Sequence, residues 1–279
     1  MRNPISRPKP AQRFRWPLVA EARGSINASS LVEPLSPEPE NQPGLAAYLP
    51  VRWEIVFYVG LVAVALLMRV WELGDRSLHH DESLHAVYSW YIYDGQGYGH
   101  NPLMHGPFQF HMNALLFFLF GDTDTIARIG YSLFGTILVA MPWFLRQWLG
   151  RTGAMTAAVF IAFSPTILYF SRFARNDIIM AVFTLGIVIV IWRYLQNQQD
   201  RYLYMLAGFL ALAFASKETT YLLIIPLCLF LAALSRGDIK GVFLGRMRLS
   251  QVGPSGALLL MFVSLSLPLS AAGISIFQG

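Results

Sequence analysis

The sequence predicts an all-α membrane protein, a polytopic bundle of about seven transmembrane helices. Hydrophobic residues make up 55% of the 279 positions and charged residues only 13%, whereas a soluble domain carries about 25% charged residues. The first long apolar run, from Trp53 to Trp71, is close to the ~20 residues that cross a bilayer. A single cysteine, Cys228, excludes an internal disulfide. No basic stripe with interleaved aromatic residues points to nucleic acid.

Residues 1–50 are expected to form a disordered, proline-rich cytoplasmic tail. They hold nine of the sixteen prolines and show no periodic apolar face. Six basic residues precede the first span, so the positive-inside rule places the N-terminus in the cytoplasm. Residues 51–279 then form a transmembrane domain in the inner (cytoplasmic) cell membrane, and the first loop, 73–124, lies outside.

The short apolar run 114–120 decides the topology. Runs of this length are often interfacial rather than spanning. If it does not cross, eight basic residues fall inside and four outside; crossing would invert that ratio. The helix that follows is expected to start with Asp122 or Asp124 as its N-cap. The later spans would then be 125–145, 152–170, 178–195, 203–216, 219–235 and 255–277.

All six histidines lie in the first outer segment, 75–111, beside the adjacent acids Asp81 and Glu82. The pattern from Asp81 to Tyr93 predicts a surface helix. Carboxylates favour the positive end of a helix, so capping is the alternative to chemistry for one of the two acids. Asp81 and His85 share a helix face and could tune a general base or hold a metal.

The loop that contains His100 and His105, with His111 after it, is rich in glycine and proline. Three histidines opposite the acids could bind a metal or a phosphate. The alternative is that each is an ordinary hydrogen-bonding loop residue. Their spacing matches no compact zinc signature. A divalent metal held by Glu82 and His85 is a separate expectation.

Two basic motifs are predicted on the same outer side. Guanidinium groups suit a phosphate, so Arg172 and Arg175 are candidate phosphate ligands, and Asp177 could orient an arginine. Arginines at the end of a span can instead extend to lipid headgroups. Lys217 is a further candidate, unless it only forms an ion pair with its neighbour Glu218.

Five motifs occur in order between residues 53 and 225: HHDESLHA, HNPLMHGP, GDTDTIAR, SRFARND and SKETT. With these motifs the chain resembles the GT-C superfamily of polytopic glycosyltransferases, which use lipid-phosphate sugar donors. Protein O-mannosyltransferases and lipid A aminoarabinose transferases belong to it. The chain is most similar to the branch of flippase activity-associated membrane proteins, as a shortened member.

The resemblance implies a first outer loop folded as membrane-surface helices, with the Asp81–Glu82 pair catalytic and Asp81 as the base. The expected reaction moves a hexosyl or mannosyl group from a polyprenyl-phosphate donor to an acceptor at the outer membrane face. Besides the donor, the expected partners are membrane lipids. The residues expected to bind the donor phosphate are Arg172, Arg175, Asp177, Lys217 and His105.

The alternative is a catalytically inactive structural or accessory subunit of a larger membrane complex, with other membrane proteins as its partners. A lipid-linked-sugar flippase is disfavoured, because the predicted spans carry almost no charge in their interiors.

Overall fold

The computed structural model describes residues 51–99 and 105–276, and within these ranges it contains eleven α-helices and no strand. The predicted all-α fold is confirmed. The tail 1–50 and His100 lie outside the described residues. The helices are α1 (Val51–Val70), α2 (His80–Tyr93), α3 (Phe108–Phe120), α4 (Asp124–Ala140), α5 (Arg146–Phe163), α6 (Pro165–Ser171), α7 (Asn176–Asn197), α8 (Asp200–Phe214), α9 (Thr220–Leu234), α10 (Arg236–Phe243) and α11 (Pro254–Ile276).

Helices α1 and α4 run antiparallel. Near the C-terminus of α1, the Ser132 hydroxyl of α4 donates to the Arg69 carbonyl at 3.2 Å. Toward the other end of α1, the rings of Tyr58 and Trp143 pack edge to face, 5.1 Å apart. The C-terminus of α1 and the N-terminus of α4 therefore lie at one end of the bundle, which we call the site end.

The chain reverses at Gly150, near the start of α5. Gly150 has φ 72° and ψ 167°, a conformation that glycine adopts without a steric penalty. After it, Arg151 pairs with Glu54 at 3.2 Å, and farther along the Ile161 carbonyl accepts from Arg69 at 3.4 Å. Helix α5 therefore runs parallel to α1 and back toward the site end.

Helix α7 is the most enclosed element and packs between α4 and α8. Ile179, Ile187 and Ile191 on it are fully buried. They join Tyr131 of α4 and Leu206 of α8 in the main apolar core. This core fixes the start of α7 at the site end, where the predicted charged residues lie.

The described residues contain fewer candidate spans than the seven predicted. Three segments are long and apolar enough to cross a membrane, Trp53–Val70, Asp124–Phe163 and Asn176–Asn197, and a fourth is α9 with α10 if that pair, bent by 76°, is one span. The 40-residue segment turns back at Gly150 and so holds two of the predicted spans. Even with both counted, the described residues hold fewer than the seven predicted spans. Helices α8 and α9 have only 15 residues each, and at ~1.5 Å per residue they fall short of a ~30 Å hydrocarbon core.

Helices α2 and α3 pack against each other in the first loop. Helix α3, which contains the run 114–120, has 13 residues, and about 20 are needed to cross a bilayer. Its length agrees with the prediction that this segment does not cross. Phe118 is 75% exposed and Phe120 is 65% exposed, so α3 presents a large apolar surface.

Candidate active site

The start of α2 organises the site end. His79 is the N-cap, and its Nδ1 accepts from the backbone N–H of Asp81 at 3.3 Å. The Glu82 carboxylate in turn accepts from the backbone N–H of His79 at 3.0 Å, which completes a capping box. The helix begins one residue earlier than predicted, and Glu82 takes the capping role that was the alternative for one of the two acids.

Glu82 is fully buried and forms an ion pair with Arg128, whose side chain is 1% exposed. Arg128 Nε donates to Oε1 at 2.7 Å, and Nη2 donates to Oε2 at 2.8 Å. The Ala174 N–H donates to Oε1 at 3.0 Å, and Arg76 donates to Oε2 at 3.2 Å. Burial alone would raise the pKa of the Glu82 carboxyl, but the hydrogen bonds from Arg128, His79 and Ala174 outweigh burial and lower it. Glu82 is thus an ionised carboxylate, and both of its oxygens accept hydrogen bonds from the protein.

Arg128 also holds the segment between α1 and α2. Its Nη1 donates to the carbonyls of Leu73 at 3.0 Å and Arg76 at 2.7 Å, and its Nη2 donates to that of Ser77 at 3.1 Å. One guanidinium therefore joins α4, the 73–77 segment and α2. This arrangement makes the Glu82–Arg128 pair the anchor of the site and leaves the neighbouring Asp81 free to face outward.

Asp81 is 41% exposed and begins a series of alternating charges. Arg175 Nη1 lies 3.4 Å from Asp81 Oδ2, and Arg175 Nε lies 3.6 Å from Asp177 Oδ2. Lys217 Nζ donates to Asp177 Oδ1 at 2.7 Å. We call Asp81, Arg175, Asp177 and Lys217 the charge series. It joins α2, the start of α7 and the turn between α8 and α9.

The end of the histidine loop docks on the turn between α8 and α9. His105 Nδ1 lies 2.9 Å from Glu218 Oε2, and the Gly106 N–H donates to the Ser216 carbonyl at 3.2 Å. A Cβ atom on Gly106 would collide with the Ala215 carbonyl. This close approach explains why glycine occurs here, and it brings His105 beside the charge series.

The adjacent residues Lys217 and Glu218 have separate partners. Lys217 contacts Asp177 and Glu218 contacts His105. The mutual ion pair considered from the sequence is therefore not formed, and both side chains are directed toward other elements of the site.

His85 is buried and faces the protein. Its Nδ1 lies 2.8 Å from the Asp81 backbone carbonyl, and its ring stacks on Phe110 at 5.8 Å. Burial, and then the positive charges of His105 and Arg175, lower the pKa of His85 to about 4. His85 is therefore neutral near pH 7, and its contact with Asp81 is to the backbone and not to the carboxylate.

These contacts do not fit a metal at Glu82 and His85. Both oxygens of Glu82 accept hydrogen bonds from the protein, and Nδ1 of His85 faces a carbonyl. In the two ranges that the structure describes, no group of three or more His, Cys, Asp or Glu side chains could hold a metal ion. The divalent metal stays an untested prediction.

Arg172 lies apart from the charge series. Its Nη1 donates to the Met68 carbonyl at 2.7 Å and its Nη2 to the Glu72 carbonyl at 3.2 Å, both at the end of α1. Arg172 also lines a pocket of about 430 Å³ together with Arg76 and Tyr169. Of the predicted phosphate ligands, the structure groups Arg175, Asp177, Lys217 and His105, but it directs Arg172 elsewhere.

Sequence reasoning missed three arginines of the site end. Arg69 and Arg76 were not singled out, and Arg128 was considered only as part of the start of α4. The N-cap of that helix is Thr123, so the prediction of Asp122 or Asp124 was wrong. Arg69 is fully buried at the end of α1. An arginine within an apolar run was the signal available, because such a residue is costly to bury and is functional by default.

The fold and the site together define a multi-pass membrane protein in which an exposed carboxylate and paired cations meet at one end of a helix bundle. A family described as dolichyl-phosphate-mannose-protein mannosyltransferase matches residues 104–265, more than half of the 279 residues. The chain belongs to this family, and its predicted membership of the GT-C superfamily is confirmed. No curated protein and no solved structure matches the chain. The matched range includes Arg175 and Lys217, whereas Asp81 precedes it.

Proposed function

We propose that this protein transfers a sugar from a polyprenyl-phosphate donor to an acceptor at the outer face of the inner cell membrane. Membership of a mannosyltransferase family supports the reaction class. The observation that carries the proposal is Asp81, a 41% exposed carboxylate that faces Arg175 at 3.4 Å. An acid and a cation at this spacing supply the two groups that the transfer requires.

Asp81 is the general base of the proposed reaction. It takes the proton from the acceptor while the acceptor oxygen or nitrogen attacks the anomeric carbon. The bond from that carbon to the phosphate oxygen breaks, and the lipid phosphate leaves with the bonding electrons. The sugar passes through an oxocarbenium-like state, by analogy with glycosidases. Glu82, whose oxygens are occupied, positions Asp81 by fixing the first turn of α2.

Arg175 is the proposed partner of the leaving phosphate. Its contacts to the carboxylates of Asp81 and Asp177 are 3.4 Å and 3.6 Å, longer than the roughly 2.7–2.9 Å of strong charge-assisted bonds. The guanidinium can therefore turn onto a phosphate at little cost. Lys217, held by Asp177 at 2.7 Å, adds positive charge and fixes the position of Asp177.

The arginines at the end opposite the site support a cytoplasmic location for that end and for the N-terminus. Arg146, Arg151 and Arg193 cluster around the turn between α4 and α5 and the end of α7, where Arg193 donates to the Phe144 carbonyl at 3.0 Å. Basic residues accumulate on the cytoplasmic side of membrane proteins. The site end then faces outward, where the outer loop was predicted.

The test is Asp81→Asn in the full chain, reconstituted in lipid nanodiscs with a radiolabelled polyprenyl-phosphate mannose and a mixture of membrane-protein acceptors. Loss of a general base lowers transfer by roughly 10²–10⁴-fold. The control is Asp94→Asn at the end of the same helix, where the carboxylate accepts a hydrogen bond from Gln96 at 2.9 Å, and transfer should be unchanged. Full activity of Asp81→Asn would overturn the assignment. A wild-type chain that transfers no sugar but copurifies with another membrane protein would favour the accessory subunit.

A further inference from the structure

A second polar pocket lies at the site end, between the C-terminus of α1 and helix α6. Its volume is about 430 Å³, and Arg76, Tyr169 and Arg172 are on its wall. We propose that this pocket binds the phosphate group of a membrane glycerophospholipid. The site is separate from the charge series, and it does not depend on the proposed sugar transfer.

The guanidinium of Arg172 is held in place for a ligand. Two of its N–H groups donate to the carbonyls of Met68 and Glu72. An arginine has five N–H donors in a rigid planar fork, so three remain for an oxyanion. Because the backbone already fixes the fork, little side-chain entropy is lost when a phosphate binds.

Arg76 supplies the second guanidinium. It is 54% exposed and lies 3.2 Å from Glu82 Oε2. Its guanidinium carbon lies 5.6 Å from the Phe173 ring and 5.9 Å from the Tyr169 ring. The aromatic rings hold this cation against the wall of the pocket by cation–π attraction while leaving it accessible from outside.

The charge around the pocket is not balanced within the protein. Three arginines line it, Arg76, Arg128 and Arg172, together with Glu72, and Glu82 pairs with two of those arginines. Three positive and two negative groups leave one positive charge. A phosphodiester carries one negative charge, so a bound phospholipid would balance the pocket.

A fully buried arginine adds to this surplus. The side chain of Arg69 lies one turn before the pocket on α1, and its Nε has no hydrogen-bond partner among the described residues. The hydrogen bonds that Arg69 donates go to the carbonyls of Ala65 and Ile161, which carry no net charge. Among the described residues, no carboxylate accepts a hydrogen bond from Arg69.

Apolar surface beside the cations favours a lipid over a soluble anion. Pro165 and Leu168 form part of the pocket wall. On the end of α1, Leu67 is 56% exposed and Trp71 is 62% exposed. Helix α1 is a candidate membrane span, and tryptophan and tyrosine concentrate where spans meet the headgroups. A lipid could therefore place its phosphate on the arginines and its acyl chains along α1.

The experiment is a titration of the full chain in detergent with phosphatidylglycerol, followed by native mass spectrometry. A hydrogen bond to a charged group typically contributes enough for about a tenfold change in affinity. Arg172→Gln and Arg76→Gln should each weaken lipid binding about tenfold. Glu72→Gln should strengthen it, because a carboxylate in the pocket repels the phosphate. A purely structural role for these residues would not predict that gain.

Arg175→Gln is the matched control, since Arg175 lies only three positions from Arg172 but faces Asp81. Its lipid binding should equal that of the wild type. If it falls as far as that of Arg172→Gln, the two sites are one and the proposal is overturned. Unchanged binding by the mostly exposed Arg76→Gln also overturns it, as does displacement of phosphatidylglycerol by equimolar inorganic phosphate or polyprenyl phosphate.

Discussion

Arg128 holds Glu82 through two hydrogen bonds, from Nε to Oε1 at 2.7 Å and from Nη2 to Oε2 at 2.8 Å. The two residues are 46 positions apart in the chain and both are buried. Their contact fixes the first turn of α2 against α4. The orientation of Asp81 therefore depends on a buried ion pair between two other residues.

Breaking this pair should destabilise the fold. Glu82→Gln or Arg128→Met leaves a buried charge without its partner, which costs about 3–5 kcal/mol. The apparent unfolding temperature of the full chain in detergent measures the loss. The double variant Glu82→Gln/Arg128→Met should lose less than the sum of the two single variants, because neither charge remains. Additive losses would show that the two residues do not act as a pair.

The buried His85 should make stability depend on pH. A histidine in the unfolded chain has a pKa of 6.5, whereas His85 in the folded protein has a pKa of about 4. Between these values the unfolded state binds more protons, so stability falls as the pH drops from 6.5 toward 4. The unfolding midpoint of His85→Gln should fall less steeply over this window.

His111→Gln is the control for this pH dependence, since the side chain of His111 is exposed. The unfolding midpoint of this variant should fall with pH as steeply as that of the wild type. The measurement is best made from pH 6.5 to 5, where the contribution of Glu82 to stability does not change with pH. Because the pKa of Glu82 is lowered, its contribution to folding stability is complete above about pH 4.5 and is lost as the pH falls further. An unchanged slope in His85→Gln would contradict the buried neutral imidazole.

The contact lengths in the charge series predict an order of effects on sugar transfer. Arg175→Gln should lower kcat by roughly 10²–10³-fold, as expected when a group that stabilises developing charge is lost. Lys217→Met should have a smaller effect, because Lys217 is held by Asp177 at 2.7 Å. Initial rates at saturating donor give the comparison. A larger loss in Lys217→Met would make Lys217 the principal phosphate ligand.

The docking of the histidine loop should depend on Gly106. In Gly106→Ala the new Cβ meets the Ala215 carbonyl, and such overpacking typically costs about 1–3 kcal/mol. Gly60→Ala on α1 is a suitable control, because a Cβ there has no atom within 4 Å. The unfolding temperature of Gly106→Ala should therefore be lower than that of Gly60→Ala. Equal temperatures would mean that the loop does not need the close contact.

Patterns along the chain predicted the parts of the structure that local sequence determines. The apolar runs predicted the helices, and the position of Asp81 and Glu82 near a helix start predicted that one of them caps it. The partners of charged side chains were not predictable in this way. Lys217 and Glu218 are adjacent, yet they contact Asp177 and His105. Such contacts depend on how distant helices pack, and periodicity carries no information about that.

The number of spans was overestimated for a related reason. Apolar composition shows that a segment avoids water, but it does not show how long its helix is. Helices α8 and α9 end after 15 residues each, although the apolar character of the chain continues on both sides of the turn at Ser216. The turn is fixed by contacts with Gly106 and Asn176, which come from elsewhere in the chain.

The backbone N–H of Ala174 donates to buried Glu82 at 3.0 Å, between Arg172, which faces the end of α1, and Arg175, which faces Asp81. The separation of these two guanidiniums is thus set by the number of residues on each side of one pinned amide. An insertion or deletion between Arg172 and Arg175 would displace at least one of them, whatever residue types were chosen. A change of length in this segment should therefore be harmful even when both arginines are kept.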